Sequence, residues 1–264
     1  MPRERLVSGA EAFQTGVMST ADNLMAALAL FTIEAGEWSA DAAAEALGVS
    51  SSTAYRYFSS LTKAGLLEQS SGGRYVLGPA IIAYDRQLRI QDRLIRAADP
   101  AMRRLIRRND GQGAALLCRG FRQQVMCVHE VFEHRPAGAV SYERGRPMGY
   151  YRGAASLIIL AHLPPRTLRK LWAEDAHLMT ETIGRDWAEV RQTLRRIRRA
   201  GVLVTRAHLD PGVIGISAPV FDPDREAIHS VSLVVAADTA PGDFAGLEGL
   251  VQAAAREINA GHRS

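Results

Sequence analysis

The 264-residue chain holds two cysteines, Cys118 and Cys127, too few for a disulfide framework and without the spacing of a metal site. Both fall in apolar runs, so they are expected as small buried hydrophobes on strands. No stretch approaches the roughly 18 consecutive apolar residues of a membrane span. The first residues also lack a charged-then-apolar leader pattern, and a cytoplasmic protein with no membrane partner is expected. HExxH, P-loop and G-x-S-x-G patterns are missing as well. The histidines are scattered: His129, His134, His162, His177, His208, His229 and His262. No catalytic residue, metal or cofactor is therefore expected.

Two pairs come closest to chemistry. Cys127 and His129 alternate on an expected strand and would share a face, but two ligands do not complete a zinc site, and the plain alternative is a half-buried strand face. His229 adjoins Ser230, and neighbours on a strand point to opposite faces, so they cannot act as base and nucleophile.

Positive charge is scarce where a nucleic-acid partner would want it. The whole chain carries a net +4, yet residues 19–78 hold three cations (Arg56, Lys63, Arg74) against six acids, leaving −3. The defence is placement, because all three cations fall on one helix or the turn after it. Few phosphate contacts per subunit then call for a dimer and a modest salt dependence.

What is present is an apolar fraction of 47%, enough for a real core in one large or two ordinary domains. Residues 39–78 read as helix, tight turn, helix and a glycine-tipped hairpin, the order of a winged helix-turn-helix. Ser39 is the expected N-cap and Gly48 the expected left-handed C-cap of the first of these helices. In the second, Ala54, Tyr57, Phe58 and Leu61 share the inward side. Outward go Ser52, Tyr55, Arg56, Ser59 and Lys63, with Ser51 and Thr53 beside the helix N-terminus. Such a face suits a major groove, since hydroxyls and helix-end amides hold phosphates while Arg and Tyr reach base edges. An ordinary solvated face on a packing module is the alternative. Leu66 and Leu67 start a strand, residues 70–73 turn, and Arg74 stands where a wing would meet a phosphate. Ahead of them Leu24, Leu28 and Phe31 mark a supporting helix, and residues 1–18 have the look of a mobile tail.

Pro79 opens a connecting helix over residues 79–98, with Ile81, Tyr84, Leu88 and Ile95 as an apolar seam suited to a dimer contact or to packing on its own domain. Asp99 and Pro100 read as N-cap and first position of the next helix, which begins a second domain over residues 99–264. That domain mixes strands (114–118, 125–131, 202–205, 213–220, 230–235) with helices (154–163, 187–200, 244–258), an α+β arrangement expected to hold a mixed sheet. The arginine run in RQTLRRIRRAG is a solvated helix face or a second nucleic-acid patch.

The winged helix, the connecting helix and two blocks, GRPMGYYRGAASLIILAHLP (145–164) and IRRAGVLVTRAHLDPGVIGISAPVFD (197–222), resemble the IclR family of bacterial transcriptional regulators. The likeness runs from about Thr20 to the end. It implies a homodimer or dimer of dimers that binds a double-stranded DNA operator, a repressor in the first instance, with a GAF-like C-terminal domain that takes a small-molecule effector, often a carboxylate. Carried onto this chain, the pocket draws on Tyr151, Arg152, Ala154, Ala155, Thr205, Val213, Gly215, Ser232 and Val234. Residues 149–153, GYYRG, replace a Pro-Leu-His-Ala-Thr-like run, and Val234 stands where the family often has serine. Both changes favour an apolar effector, an aromatic acid whose carboxylate Arg152 would hold bidentately. A GAF-like enzyme and a dimerising scaffold are the rival readings, separable by DNA binding that depends on Arg56 and Arg74.

Overall fold

Local signals at the N-terminus of each early helix account for where it starts. The computed structural model describes residues 19–134, 141–222, 227–238 and 244–261, so the tail expected over residues 1–18 and His262 lie outside the described residues. The chain divides into two units between Ile90 and Gln91. Helix α1 (Thr20–Ala29) opens with a capping box in which Ser19 and Asp22 satisfy each other's backbone amides. Helix α2 (Ala40–Leu47) has Ser39 as N-cap and Gly48, at φ +66°, as left-handed C-cap. Helix α3 (Ser51–Lys63) buries Ala54, Tyr57, Phe58 and Leu61. Phe58 sits at the centre, with the Phe31 ring 5.9 Å and the Tyr75 ring 4.9 Å from its own.

Strands β2 (Leu67–Gln69) and β3 (Arg74–Leu77) form the wing, joined by a single 3-10 turn at Ser71–Gly73 in which Gly72 has φ +69°. A strand not expected from sequence, β1 (Trp38–Ser39), adds to the far edge of β3. Two residues carry no periodicity, and only the partner defines them.

The connecting helix departs from expectation. It is two helices, α4 (Ala80–Gln91) and α5 (Arg93–Arg108), broken at Asp92, whose carboxylate accepts the Ile95 N–H at 3.1 Å. Asp99 is not an N-cap, and Pro100 lies inside α5. The apolar stripe Leu94, Ile95, Ala98, Ala101, Met102, Leu105 and Ile106 runs across the proline and seals α5 onto the core, which outweighs one missing backbone hydrogen bond. Ile95 is therefore core and leaves the expected seam, whose other members lie on α4, Ile81 half-buried and Tyr84 and Leu88 exposed.

The second unit is built on a six-stranded sheet in the order β6-β5-β4-β9-β8-β7. Its strands are β4 (Ala114–Phe121), β5 (Gln124–Val131), β6 (Pro147–Met148), β7 (Leu203–Arg206), β8 (Val213–Asp222) and β9 (Ala227–Ala236). A mixed sheet was expected, but every pair of these strands is antiparallel, and the parallel pairing found among the described residues is one isolated bridge, Cys127 to Arg144. Short connections such as the one between β4 and β5 force the reversal. One face packs against α5 and α9 (Ala245–Gly261). The other packs against α6 (Ala154–His162), on which α8 (Trp187–Ala200) lies, with α7 (Pro165–Thr182) against α8. Strand β6 and helix α7, like β1, were not expected.

Candidate DNA-binding face and ligand cavity

On α3 the outward residues Ser51, Ser52, Tyr55, Arg56, Ser59 and Lys63 are exposed, and Thr53 is half-buried. The hydroxyls at its N-terminus are already knitted together: Ser50 caps the Thr53 N–H at 3.3 Å and lies 3.1 Å from the Ser52 hydroxyl and 2.9 Å from that of Thr53. Among the described residues Arg56 and Lys63 have no ion-pair partner, whereas Arg74, next to the turn at the wing tip, reaches Glu37 at 3.4 Å. Two free cations on a helix face with a polar N-terminus are what phosphate and base-edge contacts require.

The second unit contains a cavity of about 30 Å³ at the N-terminus of α6. Strand alternation assembles its floor. In β8 Ile214, Ile216, Ala218 and Val220 face the α5/α9 core, so Val213, Gly215 and Ser217 face the cavity. In β9 Val231, Leu233 and Val235 face that core, and Ser232 and Val234 face the cavity. Thr205 joins them from β7, where it pairs with Gly215, and Ala154 and Ala155 join from the first turn of α6. A Cβ on Gly215 would lie 3.3 Å from the Thr205 hydroxyl and 3.5 Å from the Ala154 Cβ, so glycine keeps this space open.

Its polar groups satisfy one another. Ser217 and Ser232 share a buried hydrogen bond of 2.6 Å, and the Tyr142 hydroxyl lies 2.6 Å from that of Ser156 and takes the Ser156 N–H at 3.2 Å. Asp210 accepts the backbone N–H of Ser141 at 2.8 Å and also its hydroxyl. The Gly153 N–H donates to His208 Nδ1 at 3.2 Å, which places the ring proton of the neutral imidazole on Nε2. Burial, and then the charge of Arg152, hold His208 below the usual histidine range.

Family models for the IclR helix-turn-helix domain and for the C-terminal region of bacterial transcriptional regulator IclR match residues 20–71 and 89–260. The chain belongs to the IclR family. It is a transcriptional regulator with a helix-turn-helix and an effector-binding C-terminal domain, not an enzyme. Its fold is shared by an IclR-type regulator from Silicibacter sp. TM1040, with 21% identity over 92% of this chain and 95% of that one and a TM-score of 0.74. An IclR regulator from Alicyclobacillus acidocaldarius has 20% identity over 94% and 100% and a TM-score of 0.75. An IclR homologue from Microbacterium hydrocarbonoxydans, solved in complex with 4-hydroxybenzoate, has 20% identity over 93% and 99% and a TM-score of 0.71. No protein of curated function matches the sequence.

Within this IclR-family chain, Tyr151 and Arg152 do not line the cavity and are corrected as pocket residues. The Tyr151 ring is buried, its hydroxyl donates to Asp175 at 2.6 Å, and burial together with that carboxylate pushes its phenol well up. Arg152 contributes its carbonyl, which accepts from the Tyr142 hydroxyl at 3.2 Å. Gly153 follows at φ +78°, and the chain turns there so that α6 rather than the arginine meets the cavity. Leu116, Tyr142, His208, Leu209, Asp210 and Ser217 line it too and were missed. Ser217 was recoverable from its alternation with Gly215; the loop residues carried no periodic signal.

Cys127 and His129 do not share a face. The β4–β5 register shifts between Leu117 and Cys118, pairing Leu117 with His129 and Cys118 with Cys127. The extra residue sends His129 to the α5 side, where it meets Asp99 at 2.9 Å, while Cys127 is buried on the α6 side. Both cysteines are fully buried, and no group of three or more potential metal ligands occurs among the described residues. No helix among those residues is long and apolar enough to cross a membrane.

Proposed function

We propose that this regulator binds its operator as a homodimer or dimer of dimers, through Ser51, Ser52, Thr53, Tyr55, Arg56, Ser59 and Lys63 of α3 and Arg74 of the wing. Operator affinity is set by a short organic acid in the α6 cavity. Three cations per binding module are few, so two modules reading half-sites about 34 Å apart supply the affinity. Tyr84 and Leu88, both more than half exposed on α4, provide apolar surface for pairing. If the acid lowers operator affinity, the protein is a repressor that its ligand relieves.

The observation that carries the ligand reading is the cavity's position at the start of α6. The Gly153 and Ser156 N–H groups are taken by His208 and Tyr142, which leaves those of Ala154 and Ala155, with the macrodipole, to favour a carboxylate. Among the described lining residues the one fixed charge is Asp210, already paired with Ser141. The helix end therefore takes the role first given to Arg152. A volume near 30 Å³ equals about two water-sized spaces, which suits an acid of two to four carbons and excludes an aromatic ring unless the walls part.

Calorimetry of the full chain against a panel of two- to four-carbon carboxylates, with gel-shift titrations on selected genomic fragments, tests this. A binding acid should shift operator affinity, lose at least tenfold in Ser232→Ala and Tyr142→Phe, and ignore Arg152→Ala. An acid whose affinity responds only to Arg152→Ala overturns the assignment.

A further inference from the structure

The arginine run of α8 takes no part in the proposed operator contacts, and α8 helps to enclose a second cavity, of about 140 Å³. Arg191, Arg195 and Arg198 from α8 border it together with Arg169 from α7. No acid is among the lining residues, and none of these four guanidinium groups has an ion-pair partner among the described residues. The acid within α8, Glu189, is taken by Arg185. Arg198 is pinned at the rim, its Nε donating to the Ala161 carbonyl at 2.8 Å and Nη2 to the Leu163 carbonyl at 3.2 Å.

The wall between the cations is apolar. Trp187, Leu168 and Leu194 supply it, with the Trp187 ring braced by Trp172 at 5.3 Å and approached by the Arg191 guanidinium at 5.9 Å. The first turn of α7, at Pro165, adds the positive end of a helix dipole. Converging like charges repel, and an anion among them relieves that repulsion. A cavity of this size is known to hold a benzene ring.

We propose that this cavity is a second ligand site, for a single-ring aromatic carboxylate. The ring lies against Trp187 and Leu194, and the carboxylate takes the charge-assisted bonds of Arg191 and Arg195. The site is separate from the α6 cavity, shares no lining residue with it, and is almost five times its volume.

Calorimetry of the full chain with benzoate tests the proposal, with inorganic phosphate and a random-sequence DNA duplex as competing arms. Benzoate should bind, lose at least tenfold in affinity in the Arg191→Ala/Arg195→Ala variant, and lose similarly in Leu168→Trp, which fills the cavity. Ser232→Ala should leave benzoate affinity within twofold, and both arginine substitutions should leave ligand-free operator affinity at the parent level. Failure of benzoate to bind at millimolar concentration overturns the site, as does affinity indifferent to the arginines. Phosphate binding as tightly as benzoate would show that the ring contributes nothing, and displacement by random duplex would make α8 a nucleic-acid face; either result also overturns it.

Discussion

The two units prepare for their partners in opposite ways. On α3, Arg56 and Lys63 stand in solvent without an ion pair among the described residues, so the proposed DNA contacts there would break few existing ones. In the α6 cavity, Ser217 with Ser232 and Tyr142 with Ser156 are already hydrogen-bonded at 2.6 Å. A ligand must exchange those bonds for its own, and a poor match leaves a buried polar group unpaired at about 1–3 kcal/mol. On the proposed reading, the exposed cations would supply affinity that varies with salt and the α6 cavity discrimination among small molecules.

That contrast breaks most visibly at the core of the first unit. Phe58 is fully buried, and Phe58→Ala should cost about 3–5 kcal/mol, enough to unfold so small a module. Operator binding by gel shift should vanish while carboxylate binding by calorimetry persists; loss of both would show that the two units do not fold separately.

A smaller effect separates the two kinds of cation. Arg56→Ala should cost about 1–3 kcal/mol of operator binding and relax preference at one base position. Arg74 is already partly neutralised by Glu37, so Arg74→Ala should cost less and weaken all sequences alike. Gel-shift titrations over operator variants at two salt concentrations distinguish them, and equal losses would remove the distinction between helix and wing.

The smallest effect is on the pH dependence of stability. His208 is held below its ordinary 6.5 by burial and by Arg152, so the unfolded chain binds the extra proton first as pH falls. Stability from this group is intact above about pH 6.5 and declines below it, down to the folded-state value, with a slope of at most about 1.4 kcal/mol per pH unit. The drop in melting temperature between pH 7.5 and 5.5 should be smaller in His208→Gln than in the parent; equal drops would mean that His208 does not titrate differently on folding.

Signals confined to a few neighbouring residues were legible in the sequence. Ser39 and Gly48 bound α2 through hydrogen bonds and a backbone angle that those residue types supply by themselves. Helix α8 runs over Trp187–Ala200, as its apolar spacing predicted, and the β8 and β9 runs alternate between core and cavity. Along with the two blocks of family likeness, those features were enough for a winged helix-turn-helix and an α+β domain.

Tertiary packing decided the rest, because each remaining choice depended on residues far apart in the chain. The helix boundary moved from Asp99 to Asp92 because the α5 stripe found a sheet to cover. One extra residue in the β4–β5 ladder sent His129 to Asp99 and away from Cys127, and no period-two count along β5 alone can register such a shift. The cavity gathers residues from β4, α6, β7, β8, β9 and the loops between them, so its volume and the exclusion of Arg152 follow only once those elements meet.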